Sequence, residues 1–485
     1  MTAHPSFVVE DQSAVIATLE KRLAPAKRID THGAVVFLSG DRAYKLKRAV
    51  KFPYMDFSTA ERRRAMCEAE VEINRRLAPE IYLGVERVED DWAVVMRRFD
   101  EDGLLDRMAE RGRLTPEMMA ALGARIAQYH DGLAPIRDGF GRPDDYRHSV
   151  AADIRQMREQ GERLDVAASE TLAAKMPAAL EPYIDLVALR VEAGAIRRCH
   201  GDMHLRNIVL MDGKPVPFDA IEFSERIANI DVLYDLSFAL MDLCERKLQP
   251  LANRLLNEWI WRIAELPSAP HHEALALLPM FLSRRASIRA FVDAQAAAVG
   301  NGDTTRARDY QRVALSFLEP APLRLMAIGG LSGSGKSTMA IRRAPEIGRV
   351  PGAVVVRSDV ERKRLAGVPL EERMPRGSYT PEGSAKVYAA MIERARQALR
   401  AGHSAILDAV FSRLEERAMA EALAREVGVP FEGLWLEVPK EVAQARVAGR
   451  GADASDATPA VVERQFGYDL GEIRWRRLDA SARNE

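Results

Sequence analysis

The stretch Gly329–Thr338, GGLSGSGKST, decides how the C-terminal third of the chain folds. Gly330, four further residues and then Gly335-Lys336-Ser337 match the spacing of a phosphate-binding loop. Glycine lets backbone N–H groups turn inward around phosphate oxygens, and a following helix aims the positive end of its dipole at the same point. On that pattern Gly330, Ser332, Gly333, Ser334, Gly335, Lys336, Ser337 and Thr338 cradle a nucleotide. Lys336 reaches the β- and γ-phosphates, and the Ser337 hydroxyl ligates Mg2+. The flanks agree: Leu323–Ile328 (LRLMAI) reads as a buried strand and Lys336–Arg343 as a helix start. A flexible linker would require neither the apolar strand nor the Lys-Ser pair.

A chain of 485 residues exceeds one ordinary core, which predicts two or three domains. Lys+Arg 70 against Asp+Glu 71 leaves no net charge to draw nucleic acid or an anionic membrane, so small molecules are the expected partners. Cys67, Cys199 and Cys244 lack metal-type spacing, which argues against zinc and disulfides. The opening MTAHPSFVVEDQ has no basic segment followed by an apolar core, and no apolar run approaches the ~18 residues of a membrane span. A cytoplasmic protein is expected.

Along the chain, residues 11–24 pattern as an amphipathic helix, and Ala34–Leu38 and Ala43–Arg48 as strands joined by a Ser-Gly-Asp turn. A helix over about Thr59–Leu77 precedes β character at Tyr82–Val88 and Trp92–Arg97. From Thr115 to Ala193 the pattern is mostly helical and stops at Gly194; helices return from about Ile230 to Leu318, with a loop at Ala298–Asp303. Glu319–Pro322 (EPAP) marks a boundary between a domain at 1–318 and one at 323–485.

A second motif lies in the first domain. His200-Gly201-Asp202-Met203-His204-Leu205-Arg206-Asn207 precedes Ile208–Met211, Asp212-Gly213 and Lys214–Phe218. Asp-Gly between apolar runs signals a hairpin in which 211 faces 214, 209 faces 216 and 207 faces 218. Pro215 and Pro217, lacking N–H, then point away from the partner strand. The open end sets Asn207 beside Asp219, with Asp202 upstream: an amide and a carboxylate for Mg2+ and a second carboxylate as base. A polar hairpin bearing surface acids is the alternative.

This string resembles the aminoglycoside phosphotransferase family, whose catalytic sequence is His-Gly-Asp-x-x-x-x-Asn with an aspartate after the hairpin. The resemblance implies a protein-kinase-like fold in which Asp202 orients or deprotonates an acceptor hydroxyl while Asn207 and Asp219 hold Mg2+. Asp235 resembles the family's later structural aspartate. A lysine for the phosphates and a glutamate to orient it are then required. Lys45 and Lys47 share one strand face, so alternation cannot choose between them; the family's Val/Tyr-x-Lys strand favours Lys45. Glu70 lies on one helical stripe with Met66, Ile73 and Leu77, and an acid in an apolar stripe is costly unless paired. The alternative is an exposed helix acid. No Gly-x-Gly-x-x-Gly precedes the lysine strand, only Thr31-His32-Gly33.

Arg285 and Arg289 fall on the same face of Phe281–Val292 as Leu282, Ile288 and Val292, so they need anions, either internal acids or an anionic substrate. Beyond the phosphate loop, Ala353–Arg357 reads as a strand delivering Asp359, followed by Arg362 and Lys363. Ser404–Leu407 is a strand ending in Asp408, placed as an acid near Mg2+, and Phe431–Val438 is another. Arg446 and Arg450, one turn apart, suit a lid over transferring phosphate, or else surface ion pairs.

These features together resemble the small P-loop kinases that include gluconate kinase, zeta toxin, chloramphenicol phosphotransferase and polynucleotide kinase. The resemblance implies Asp359 as base and Arg362 as acceptor ligand. The whole is similar to a bacterial bifunctional family joining an aminoglycoside phosphotransferase-like domain to a P-loop kinase. The expected fold class is therefore α+β, kinase-like, followed by a doubly wound α/β parallel sheet. The expected function is a bifunctional phosphotransferase using ATP or GTP with Mg2+, each domain acting on a small-molecule hydroxyl. Its rival makes one domain a nucleotide-binding regulatory switch.

Overall fold

The computed structural model describes residues 7–52, 55–298, 303–375, 379–449 and 454–481. These residues gather into two units, one of 1–246, 266–269 and 280–318, the other of 247–265, 270–279 and 319–485.

The first unit carries a five-stranded antiparallel sheet ordered Lys27–Asp30, Ala34–Ser39, Arg42–Lys47, Asp91–Arg97, Tyr82–Val88. Apolar residues of the inner strands bury one face, and helix Ala60–Arg75 covers it with Cys67 and Val71 against Ala43, Val94 and Met96. The Thr59 hydroxyl caps this helix by accepting from Arg62 N–H. The first strand, KRID, is an edge strand with a single apolar residue and no alternation, so periodicity gives no sign of it.

Helices at Pro116–Asp131, Pro143–Glu159, Val166–Leu180 and Ile184–Glu192 follow. The hairpin Ile208–Met211/Lys214–Pro217 pairs 211 with 214 and 209 with 216, the register that the Asp-Gly turn dictates. Asp212 and Gly213 both take positive φ, as a two-residue type I′ turn demands. Phe218 N–H donates to Asn207 O at 2.8 Å, so the pairing continues to the open end.

The second unit is a parallel sheet ordered Val354–Arg357, Ala405–Asp408, Leu325–Gly329, Phe431–Glu437, Arg476–Asp479. Its last strand, RRLD, is a polar edge strand that the sequence pattern does not reveal. The division at residues 318 and 323 needs amendment, because Lys247–Glu265 and Pro270–Pro279 pack with the parallel sheet. Helix Gln249–Arg262 serves the exposed edge of strand Val354–Arg357. Asn253 Nδ2 donates to Ala353 O at 3.0 Å, Asn257 Oδ1 accepts from Val355 N–H at 2.7 Å, and Trp261 Nε1 donates to Val355 O at 2.7 Å. These residues recur every four positions, so one helical face supplies the hydrogen bonds that a neighbouring strand would otherwise make. Among the described residues no helix is long and apolar enough to cross a membrane.

Candidate active sites

In the first unit the strand Arg42–Lys47 presents Lys45 and Lys47 to a single glutamate. Lys45 Nζ lies 2.8 Å from Glu70 Oε1 and 2.6 Å from Asp219 Oδ1. Lys47 Nζ lies 2.6 Å from Glu70 Oε2 and also bonds Glu222. Glu70 is 0% exposed, which removes the exposed-acid alternative. Burial pushes its carboxyl up, but the two ammonium groups overcome that and hold it below the usual range. The surrounding stripe differs from the expected one: Cys67, Glu70, Val71 and Asn74 are buried, whereas Met66 and Ile73 are only half-buried. Asn74 is polar yet internal because its Oδ1 accepts from Ala220 N–H at 2.8 Å.

The catalytic-string residues are held from below by Asp235, whose carboxylate accepts from His200 N–H at 3.2 Å and Gly201 N–H at 2.8 Å and lies 3.1 Å from His130 Nε2. His130, Cys199 and Asp235 are close enough to suggest a metal cluster, but Asp235 is saturated with protein donors and acts as a brace. Asn207 Nδ2 donates to Asp202 Oδ2 at 3.0 Å. Asp219 adopts φ +63, an uncommon backbone region that aspartate tolerates, with its N–H donating to Tyr82 OH at 3.0 Å. Burial raises the Asp202 carboxyl, yet the charges of His204, His200 and Arg289 bring it well below the ordinary range. Asn207 and Asp219 offer hard oxygen donors suited to Mg2+. His32 lies near enough to the site to feel Asp219, Lys45 and Asp202, while burial lowers its pKa.

The two helical arginines part company. Arg285 is 3% exposed and donates to Tyr234 O and Gly201 O at 3.2 Å while stacking on Tyr234 and Phe238. Carbonyls and ring faces take its donors, the internal Asp235 and Asp153 feel its charge, and it does not line the cleft, which corrects its expected substrate role. Arg289 lines a cleft beside Asp202, with Arg206, Arg306 and Tyr310 that the sequence pattern did not single out.

In the second unit the phosphate loop runs from strand Leu325–Gly329 into helix Lys336–Arg343, so the first-turn amides, including those of Ser337 and Thr338, lack intrahelical acceptors. Gly330 has φ +140, and a Cβ there would lie 2.6 Å from Leu436 O; Gly333 has φ +84 and the same problem at 2.5 Å from Ala443 O. Ser332 N–H donates to Gln465 at 2.7 Å, and the buried Ser334 Oγ has no partner among the described residues, an orphaned hydroxyl that suits a phosphate ligand. Lys336 Nζ donates to Leu331 O at 2.9 Å. Ser337 Oγ and Asp408 Oδ2 are 2.6 Å apart, a hydroxyl–carboxylate pair suited to Mg2+. Arg357, missed by periodicity because it ends an apolar strand, lies 3.4 Å from both Asp408 Oδ2 and Ser337 Oγ and rests over the Trp261 ring.

Asp359 is hydrogen-bonded by Ser455, and burial raises its carboxyl above the ordinary range despite Arg357. Arg362 stacks over Tyr379 at 4.7 Å, and Tyr379 OH donates to Asp456 at 3.2 Å. Arg446 donates to Ala480 O at 2.8 Å and lies beside Gly335 of the phosphate loop; Arg450 falls outside the described residues.

Both arrangements are those of kinase-type domains, and the chain is a phosphotransferase. The sequence profile of the phosphotransferase enzyme family matches residues 33–278, half of the chain, and an AAA domain profile matches 325–468. The chain therefore belongs to the phosphotransferase enzyme family, with a P-loop kinase domain appended. Uncharacterised proteins of Mycobacterium bovis and Mycobacterium tuberculosis are 30% identical to it over 94% of this chain and 92% of theirs. Among solved structures, a choline/ethanolamine kinase family protein from Mesorhizobium loti is 14% identical over 63% of this chain and 94% of that one, at TM-score 0.39. A gluconokinase from Sinorhizobium meliloti is 19% identical over 34% and 86%, at TM-score 0.25.

Proposed function

We propose that each unit transfers the γ-phosphoryl group of ATP or GTP to a hydroxyl of a small molecule, through Asp202 in the first and Asp359 in the second. The observation that carries this reading is the presence of a full set of groups at both places. Lys45, Glu70 and Asp219 form one hydrogen-bonded chain next to the Asn207–Asp202 pair. The glycine-built loop meets the Ser337–Asp408 pair in the other unit.

In the first unit Asn207 and Asp219 would hold Mg2+, and in the second Ser337 and Asp408 would. When bound, the ion neutralises charge on the β- and γ-phosphates. Ala43, Met96 and the half-buried Val36, Phe99 and Phe218 belong to one apolar cluster that would face the base, with the Phe99 and Phe218 rings 4.9 Å apart. Asp202 and Asp359 each orient an acceptor hydroxyl and take its proton. Arg446, beside the loop, and Arg450 balance charge developing on the transferred group. Arg362, flat on Tyr379, holds the second acceptor. On this reading the partners are small-molecule alcohols met in the cytoplasm.

The test uses the full chain with Mg2+, ATP and a metabolite library, read by mass gain of one phosphate. Asp202→Asn and Lys336→Ala should each remove a different product. If Lys336→Ala only alters the rate of a product made through Asp202, the P-loop unit is a switch and this reading is wrong.

A further inference from the structure

We propose that the acceptor of the first unit is an anion: an alcohol bearing a phosphate or carboxylate group, gripped by Arg289 and Arg306 while its hydroxyl meets Asp202. The inference rests on the phosphotransfer reading of that unit and names the substrate class it leaves open.

A cleft opens beside Asp202, whose carboxylate lies 3.4 Å from His204. The adjoining cleft is lined by Arg206, Arg246, Arg289, Arg306 and His204 against a single lining carboxylate, Asp242. Carboxylates behind the lining occupy these cations unevenly. Arg246 is matched by Asp242 at 3.0 Å and by Glu110 at 3.6 Å, and Asp242 also accepts from Leu205 N–H at 2.9 Å. Arg206 lies 3.4 Å from Asp106 and is half-exposed. Asp293 serves two guanidinium groups, Arg289 at 2.9 Å and Arg306 at 3.9 Å, and Glu245 is near enough to feel both. Burial and the neighbouring Asp242 raise the Glu245 carboxyl, which weakens it as a counter-ion.

Tyr310 sits between the pair, its ring 5.8 Å from Arg289 and 5.6 Å from Arg306, and its hydroxyl accepts from Arg306 at 3.3 Å, so its own proton is left to donate. A guanidinium has five N–H donors in a planar fork, and Arg289 gives Asp293 one bond of 2.9 Å. Two forks and a phenol converging on one cleft match the oxygens of a phosphate or carboxylate. A cationic acceptor would meet the two guanidinium groups that share Asp293 there.

The transfer balances with no further reactant. The acceptor hydroxyl oxygen bonds to the γ-phosphorus as the bond to the β–γ bridging oxygen breaks. The electron pair leaves on the nucleoside diphosphate, and the hydroxyl proton passes to Asp202.

The test uses the full chain with Mg2+ and a non-hydrolysable ATP analogue filling the nucleotide sites, titrated calorimetrically with glycerol 3-phosphate, glycerate, glycerol and choline. At least one of the two anions should bind while glycerol and choline do not, and which anion binds separates phosphate from carboxylate. Arg289→Met and Arg306→Met should each weaken that binding about tenfold or more, while Arg22→Met, in the N-terminal helix Ser13–Leu23, should not. Retained analogue binding shows that the variants are folded. Choline or glycerol binding as tightly as the anions, no anion binding at ~10 mM, or anion binding indifferent to both variants would each overturn the proposal and leave the arginines as internal counter-ions. Should the first unit take up no analogue at all, it is the phosphotransfer reading that fails instead.

Discussion

Asp202 and Asp359 have the same proposed task in opposite electrostatic settings. Asp202 lies among His204, His200 and Arg289, whose charges overcome burial and hold its carboxyl low. Asp359 is dominated by burial, which Arg357 and Ser455 only partly offset, so its carboxyl is raised. A base can therefore be kept ready either by surrounding charge or by withdrawal from water, and the two routes give different responses to acid.

The largest effect that could break this pairing is loss of turnover. Lys336→Ala should lower phosphate transfer by the second unit about 10³-fold, and Asp202→Asn should do the same to the first. Each should spare the other product in a two-product mass assay. Next comes stability. Trp261→Ala removes a core residue of the P-loop unit, its bond to Val355 O and the ring beneath Arg357, and should cost about 3–5 kcal/mol in that unit's unfolding transition. Glu70→Gln takes one of two carboxylates from each of Lys45 and Lys47, leaving Asp219 and Glu222 as their partners, and should cost a smaller ~1.5–3 kcal/mol in the first unit.

A smaller effect sharpens the comparison directly. As pH falls, a base with a raised pKa protonates first, so the acid limb of kcat/KM for the second product should lie above the ordinary carboxylate range. That for the first should lie below it. Coincident limbs would show that the two settings do not control the bases. Smallest of all, Arg22→Ala breaks an exposed pair with Glu86 and should shift stability by only ~0.2–1 kcal/mol on chemical denaturation.

Where function depends on local spacing, the sequence was transparent. The Asp212-Gly213 turn dictates the register that carries Asn207 to Phe218, and the glycines of the phosphate loop are required by backbones 2.5–2.6 Å from any added Cβ. Where it depends on what a buried face meets, the sequence was silent. Lys45 and Lys47 could not be separated by alternation because both reach Glu70. Arg285 reads as needing an anion, yet carbonyl oxygens and rings satisfy it. Helix Gln249–Arg262 displays a buried stripe, but nothing in its periodicity says that Asn253, Asn257 and Trp261 face strand Val354–Arg357. Periodicity reports burial and not the identity of the neighbour.

That helix has a consequence for synthesis on the ribosome. Residues 247–265 emerge well before strand Leu325–Gly329 and all its parallel neighbours exist, so Asn253, Asn257 and Trp261 wait without their sheet. The nascent chain thus carries an adhesive, half-apolar segment through the translation of everything up to the C-terminal strands, a period in which a chaperone has something to hold.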